Sequence, residues 1–316
     1  MFAPLRASIS VSKRSMGSVV MKSFGAPTSV LNFNNEKSSQ PAPSAGEVVV
    51  QVVSSQVVHE DNRFIRGLSF ANNNANSVAG VNAVGKVASV GSGVSGLKVG
   101  DSVFVLNSGS WSDSITVKAS RASKISDVSD QFALMPSYLT AWAILNNSAS
   151  AGLKVGDSVI HTEGSSAIGA AISQVGKALG YNVTQVSEAD LNSDSKNAKL
   201  AISSLSGKPL RELLKHISNG GSIVTFNGAL TPILSTTGVE VPTGASIFDN
   251  KSVNGFDLGA WVANNEGKFR DGCAAISSLL SEKKVNIGGV TVVSQADYQK
   301  ALDAVQSSGS AVVLKV

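Results

Sequence analysis

The chain alternates between runs that favour strands and runs that favour helices, and the order of the runs changes partway along. Residues 18–33 (SVVMKSFGAPTSVLNF) predict a short strand, a Gly-Ala-Pro turn and a second strand. A Ser/Pro/Gly-rich loop over 37–47 leads into EVVVQVVSSQVV (47–58), which is almost continuously β-prone. The polar HEDNRFIRG predicts a turn or short helix, and FANNNANSVAG a loop. From Val81 the strand pattern returns, in VNAVGKVASVGSG and GLKVGDSVFVL. GLKVGDSV occurs twice, at 96–103 and 152–159. Each copy sets a Gly-Asp turn before a Val-rich strand, so we read two strands entered in the same way and no domain repeat.

Residues 130–150 predict helix, capped by Ser129 or Asp130, with LTAWAIL as the apolar face. Strand and helix then alternate: strand 158–161, helix 164–179, strand 182–186, strand 200–203, helix 210–217, strand 222–226, closed by Asn227-Gly228. Such alternation on short links predicts a doubly wound parallel sheet, an α/β architecture. A helix over 269–282 follows, and the tail predicts strand, helix, strand. The chain thus divides into a β-rich part over 18–140 rejoined by 275–316, and a β/α part over 141–274, preceded by a tail over 1–17.

Composition narrows the class. Charged residues make up 15% of the 316, against roughly 25% in a typical domain, while 42% are hydrophobic. The net charge of +4 comes from the first 35 residues, which hold Arg6, Lys13, Arg14 and Lys22 and no acid. The rest carries 22 basic and 22 acidic residues, with no basic cluster interleaved with aromatics. No nucleic-acid surface is evident. The segment MFAPLRASISVSKRSMG is basic, Ser-containing and acid-free, which fits a mitochondrial transit peptide; a plain N-terminal tail fits as well. No apolar run reaches the roughly 18–20 residues of a bilayer span. The single Cys273 excludes an intrachain disulfide and a Cys-rich zinc site, and no metal site is expected.

Several strings, in order, resemble the medium-chain dehydrogenase/reductase superfamily, and within it the mitochondrial 2-enoyl-thioester reductases of fatty-acid synthesis. They are VASVGSGVSGLKVGDSVFV, SGSWSDSITV, LTAWAIL, GDSVIHTEGSSAIGAAISQVGKALG, LLKHISNGGSIVTFNGAL, SVNGFDLGAW and ADYQKALDAVQ. The resemblance covers roughly residues 18–316. It implies a β-rich GroES-like domain beside a Rossmann-like domain, a location on the matrix side of mitochondria, and NADPH or NADH as cofactor. It also implies a homodimer formed by sheet pairing when the protein is free.

The resemblance also assigns site positions, and several depart from the family. The cofactor turn is Gly164-Ser165-Ser166-Ala167-Ile168-Gly169, with Ala167 where the family usually has Gly. Cofactor binding and a plain β–α turn both fit this string. Asn227, just past the strand 222–226, is a further cofactor-binding position that the resemblance implies. At the end of the second strand the reductases carry basic residues; here Glu188 and Asp190 stand, either opposing a 2′-phosphate or merely solvated loop charges. Only Leu191–Lys199 precedes the next strand, where the family fits a helix and another strand. The family's catalytic Tyr position falls on Ser69, beside Phe70, its Glu on Asn82, and its Trp on Trp111. Two functions follow: an NAD(P)H-dependent 2-enoyl-thioester reductase, or a reductase-like protein with a decayed site, without cofactor, recruited as an accessory subunit of a mitochondrial assembly.

Overall fold

The computed structural model describes residues 17–37, 40–68, 76–107, 109–146, 152–192, 197–226, 248–308 and 311–316. Ser69 and Asn227 lie outside the described residues, as does nearly all of the 1–17 tail. The first part contains β1 Ser18–Met21, α1 Pro27–Val30, β2 Leu31–Asn34, β3 Glu47–Gln56, α2 His59–Ile65 and β4 Ser77–Val78. It continues with β5 Asn82–Val90, β6 Ser102–Leu106, β7 Ser114–Lys118, β8 Ala122–Lys124, α3 Asp130–Ala133 and α4 Met135–Asn146. The second part contains β9 Ser158–His161, α5 Ala167–Ala178, β10 Asn182–Gln185, β11 Ala198–Ser203, α6 Gly207–Leu213, β12 Ile217–Phe226 and β13 Ser252–Phe256. Helices Leu258–Asn264 and Glu266–Ser281 follow; then come β14 Thr291–Ser294, helix Tyr298–Ser308 and β15 Val312–Lys315.

The β-rich part forms a sheet in the order β14-β15-β3-β5-β6-β8, with β7 paired to β3 on its other side. β15 runs antiparallel to β3, with Val313 opposite Gln56. The C-terminal strand thus joins the first sheet. β3 alternates Val48, Val50 and Val52 into one core, as period-2 patterning requires. Both GLKVGDSV copies fold alike. The Asp101 carboxylate accepts from Lys98 N–H (2.9 Å), and Asp157 accepts from Lys154 N–H (2.7 Å). Gly100 and Gly156 take φ of +89° and +90°, which a side chain resists.

The second sheet is parallel, in the order β10-β9-β11-β12-β13. β10 is its outer strand, so among the described residues no strand lies beyond it; the short 191–199 link leaves no room for one. Two boundaries differ most from the sequence expectation. α6 ends at Leu213 and passes through a single 3-10 turn, and β12 begins at Ile217 rather than Ser222. Gly220 at φ +70° and a register shift opposite Ala198–Leu200 let the strand run through the Asn-Gly-Gly string.

α4 packs between the two parts. Its Met135–Leu145 stretch is apolar nearly all round and buried, as a helix enclosed on every side must be. It shares one core with Val84 and Phe104 of the first sheet and with Val159, Leu200 and Val224 of the second.

Candidate functional site

A doubly wound sheet takes its ligand in the crevice outside the carboxyl ends of the strands, where the strand order reverses. β9 leads through α5 to β10 on one side, and the chain then crosses to β11 on the other. The reversal falls between β9 and β11, and the expected cofactor turn borders it.

Gly164 takes φ +58°, turning the chain sharply out of the strand. Ser165 follows, and Ser166 is the N-cap of α5. Its hydroxyl donates to the Glu163 carbonyl (2.7 Å), and its oxygen accepts from Gly169 N–H (3.2 Å). Ser166 is therefore used up in capping rather than held out to a phosphate. Ala167 begins the helix, buried, with Ile168 behind it. Gly169 fits for steric reasons. A Cβ there would sit 2.3 Å from the Gly164 carbonyl oxygen and 3.0 Å from that of Glu163.

The chemistry of the rim is set by a residue that the sequence reading passed over. The Glu163 carboxylate reaches across the crevice mouth to the loop after β11. Oε1 accepts from Ser204 N–H at 2.7 Å, and Oε2 accepts from the Ser204 hydroxyl at 2.9 Å. Thr162 Oγ1 donates to Oε1 at 3.2 Å, and lies 2.8 Å from Ser203 Oγ. The available signal was an acid directly before a Gly-Ser turn that was expected to hold phosphates.

Behind the turn, His161 is buried. Its Nε2 lies 2.8 Å from Ser173 Oγ, and its Nδ1 accepts from Glu163 N–H at 3.3 Å. Burial pushes its pKa down to about 4, so the ring is neutral and donates through Nε2. It is a satisfied core histidine at the end of an apolar strand.

Glu188 is exposed on the short 3-10 turn after β10, and Asp190 accepts from Ser187 Oγ at 2.6 Å. Both fit solvated loop charges. Cations do not compensate. Lys177 lies in the last turn of α5, away from its N-terminus. Lys199 lies at the start of β11 with Nζ on the Gly220 carbonyl, 3.1 Å away. The rim thus offers a phosphate an internal carboxylate, a serine already engaged in capping and the exposed Ser165, while the two described lysines between Ser158 and Ser206, Lys177 and Lys199, lie away from the turn. These residues do not fit a dinucleotide.

Of the positions matched to catalysis, Asn82 and Trp111 fall within the described residues. Asn82 is buried and clamps the end of β3: its Oδ1 accepts from Gln56 N–H (3.1 Å) and its Nδ2 donates to the Gln56 carbonyl (2.8 Å). Trp111 is 1% exposed, packed with Val19, Phe64 and Leu314, with its ring against Gly80. The amide is used up in backbone bonds and the indole is core, so neither side chain faces a crevice. Tyr138, the first tyrosine of the chain, accepts from Ile287 N–H (3.1 Å) and donates to Gln131 Oε1 (3.2 Å). Burial raises its pKa to about 12. On α2, Asp61 accepts from Val58 and Val81 N–H, at 2.8 and 2.9 Å. Burial drives its carboxyl up to about 8, against the pull of those two donors. Among the described residues no three His, Cys, Asp or Glu side chains converge as metal ligands, and no helix is long and apolar enough to cross a membrane.

Known proteins share this architecture. The alcohol dehydrogenase GroES-like domain matches residues 44–127. The mitochondrial enoyl-[acyl-carrier-protein] reductase of Dictyostelium discoideum is 27% identical, over 85% of this chain and 86% of its own length. That of Rattus norvegicus is 26% identical, over 90% and 84%. A mutant form of enoyl thioester reductase from Candida tropicalis superposes with a TM-score of 0.79 at 21% identity, over 95% of this chain and 99% of that one. A quinone oxidoreductase of Pseudomonas syringae gives 0.80 at 19% identity, over 95% and 99%. At these identities the solved structures establish the fold.

Proposed function

From its membership of the medium-chain dehydrogenase/reductase superfamily, we propose that this chain is an enoyl-reductase-like protein that no longer reduces enoyl thioesters. In this reading it serves as an accessory subunit of a mitochondrial assembly, on the matrix side. One observation carries the reading: the crevice mouth at the switch point is bridged by Glu163 and Ser204, where a dinucleotide phosphate needs donors and positive charge. With no strand beyond β10 among the described residues, the adenine half has less support as well. The basic N-terminal segment and the mitochondrial relatives support the location. Outside such an assembly, the free edges of the parallel sheet give a homodimer by sheet pairing.

A second reading is favoured by the relatives themselves. Enoyl reductases align over most of the chain, and in that reading the protein is an active NADPH- or NADH-dependent enoyl-thioester reductase of mitochondrial fatty-acid synthesis. Calorimetric titration of the purified chain with NADPH and NADH separates the two. The accessory reading expects no binding up to millimolar concentration from folded protein, and co-migration with a larger complex in native mitochondrial extracts. Micromolar binding together with enoyl-thioester turnover would overturn it.

A further inference from the structure

The gap between β9 and β11 is sewn shut at two successive residues. Thr162 meets Ser203 through their hydroxyls, and Thr162 N–H donates to the Ile202 carbonyl at 3.3 Å. Glu163 then meets Ser204 through a backbone N–H and a hydroxyl, one to each carboxylate oxygen. A doubly bonded carboxylate on a neutral N–H and an O–H is the arrangement in which a protein holds a bound anion, and charge-assisted bonds of this kind are the strong ones. Here the anion belongs to the chain.

We propose that Glu163 is a built-in anion that takes the place of a ligand phosphate at the switch point and sets this crevice against phosphate-bearing ligands. The inference rests on the accessory reading above and makes one residue its determinant. A diphosphate arriving between the turn and Ser204 meets a fixed negative charge and finds the donors of Ser204 already taken. It gains less from α5 than an uncapped helix start would give, because Ser166 has already satisfied the Gly169 N–H. Like charges a few ångströms apart at a half-buried site oppose each other strongly. The remaining turn geometry, with Gly164 and Gly169 in place, is still that of a chain passing close to a ligand.

The test uses the full chain and three probes: inorganic pyrophosphate, NADPH and NADH. Glu163→Gln is nearly isosteric. Its amide oxygen still accepts from Ser204 N–H and its NH2 donates to the Ser204 hydroxyl, so the loop keeps its bonds and only the charge leaves. Glu163→Ala removes the bridge as well. Calorimetry of wild type and both variants, with thermal unfolding to confirm that each is folded, gives the comparison. The expected result is that both variants bind pyrophosphate and at least one dinucleotide about 10- to 100-fold more tightly than wild type. Folded variants that bind no better than wild type would overturn Glu163 as determinant, while the accessory reading would stand. Wild-type protein that itself binds NADPH at micromolar concentration would overturn the accessory reading, and the ratio between wild type and Glu163→Gln would still decide the role of Glu163.

Discussion

Replacing Gly169 by Ala puts a methyl group into the tightest backbone approach of the second domain. The new Cβ falls 2.3 Å from the Gly164 carbonyl oxygen, 3.0 Å from that of Glu163 and 3.1 Å from the Glu163 carbonyl carbon. All three are backbone atoms, so no side chain can swing away. Restoring ordinary contact requires the 163–164 segment and the start of α5 to separate by about 1 Å, an overpacking strain of roughly 1–3 kcal/mol. The same movement pulls Ser166 from Gly169 N–H, a cap worth about 1 kcal/mol. Together these predict a loss of roughly 2–4 kcal/mol, or a fall in Tm of roughly 3–6 °C for a chain of this size. Gly267→Ala is the internal control. Gly267 lies on the exposed face of the helix Glu266–Ser281 with nothing within 4 Å of its Cβ position. There the substitution stabilises by about 0.5–1 kcal/mol through helix propensity. Urea unfolding of the two variants side by side reads the difference. A Gly169→Ala protein as stable as wild type would refute the close packing of turn and helix.

Three further outcomes follow from the same structure. Asn82→Ala leaves the Gln56 N–H and carbonyl without their side-chain partner in a buried site, and costs roughly 2–4 kcal/mol in a denaturant melt; a substitution without effect on stability would return Asn82 to the catalytic candidates. His161 is neutral in the folded chain with its pKa held near 4, whereas the unfolded chain titrates near 6.5. Unfolded protein therefore binds the extra proton, and stability is lost as pH falls through this window. His161→Gln should flatten the wild-type loss between pH 7 and 5 by about 2 kcal/mol, and parallel pH profiles for the two proteins would refute it. Cys273 is the only thiol, fully buried, and burial raises its pKa to about 12. A thiol-specific chromophore should count no thiols in native protein and one in urea, and prompt native labelling would contradict the packing of the helix that carries it.

Much of the architecture was written in the chain as period and punctuation. The Val alternation of β3, the repeated LKVGD turns and the strand–helix rhythm from Ser158 onward all fold as their patterns require, because each is a local consequence of turn chemistry or of one buried face. The missing strand beyond β10 was also legible, since nine residues cannot hold a helix and a strand. The site was less so. A string match can place Asn82 and Trp111 opposite catalytic positions, yet it cannot say whether a side chain turns outward or is consumed inward. Asn82 clamps Gln56, and Trp111 fills the space that Gly80 leaves. Glu163 was missed because its meaning depends on Ser204, 41 positions away, and only the parallel pairing of β9 with β11 makes them neighbours.

The place of β15 carries a consequence for biosynthesis. The N-terminal sheet needs the last residues of the chain, with β15 set between β14 and β3, and the Tyr298 hydroxyl reaches back to the Leu31 carbonyl across 267 positions. On a ribosome adding about 5–20 residues per second, β3 emerges roughly 10–50 s before its partner. The parallel sheet, whose strands all lie between Ser158 and Phe256, is complete well before that. The first domain to be translated is thus the last to close. Through that interval the Ser54–Gln56 end of β3 lacks its partner, while its Val-rich half is already covered by β5 and β7; an unpaired strand end of this kind is the part of the fold left open to chaperones on the nascent protein.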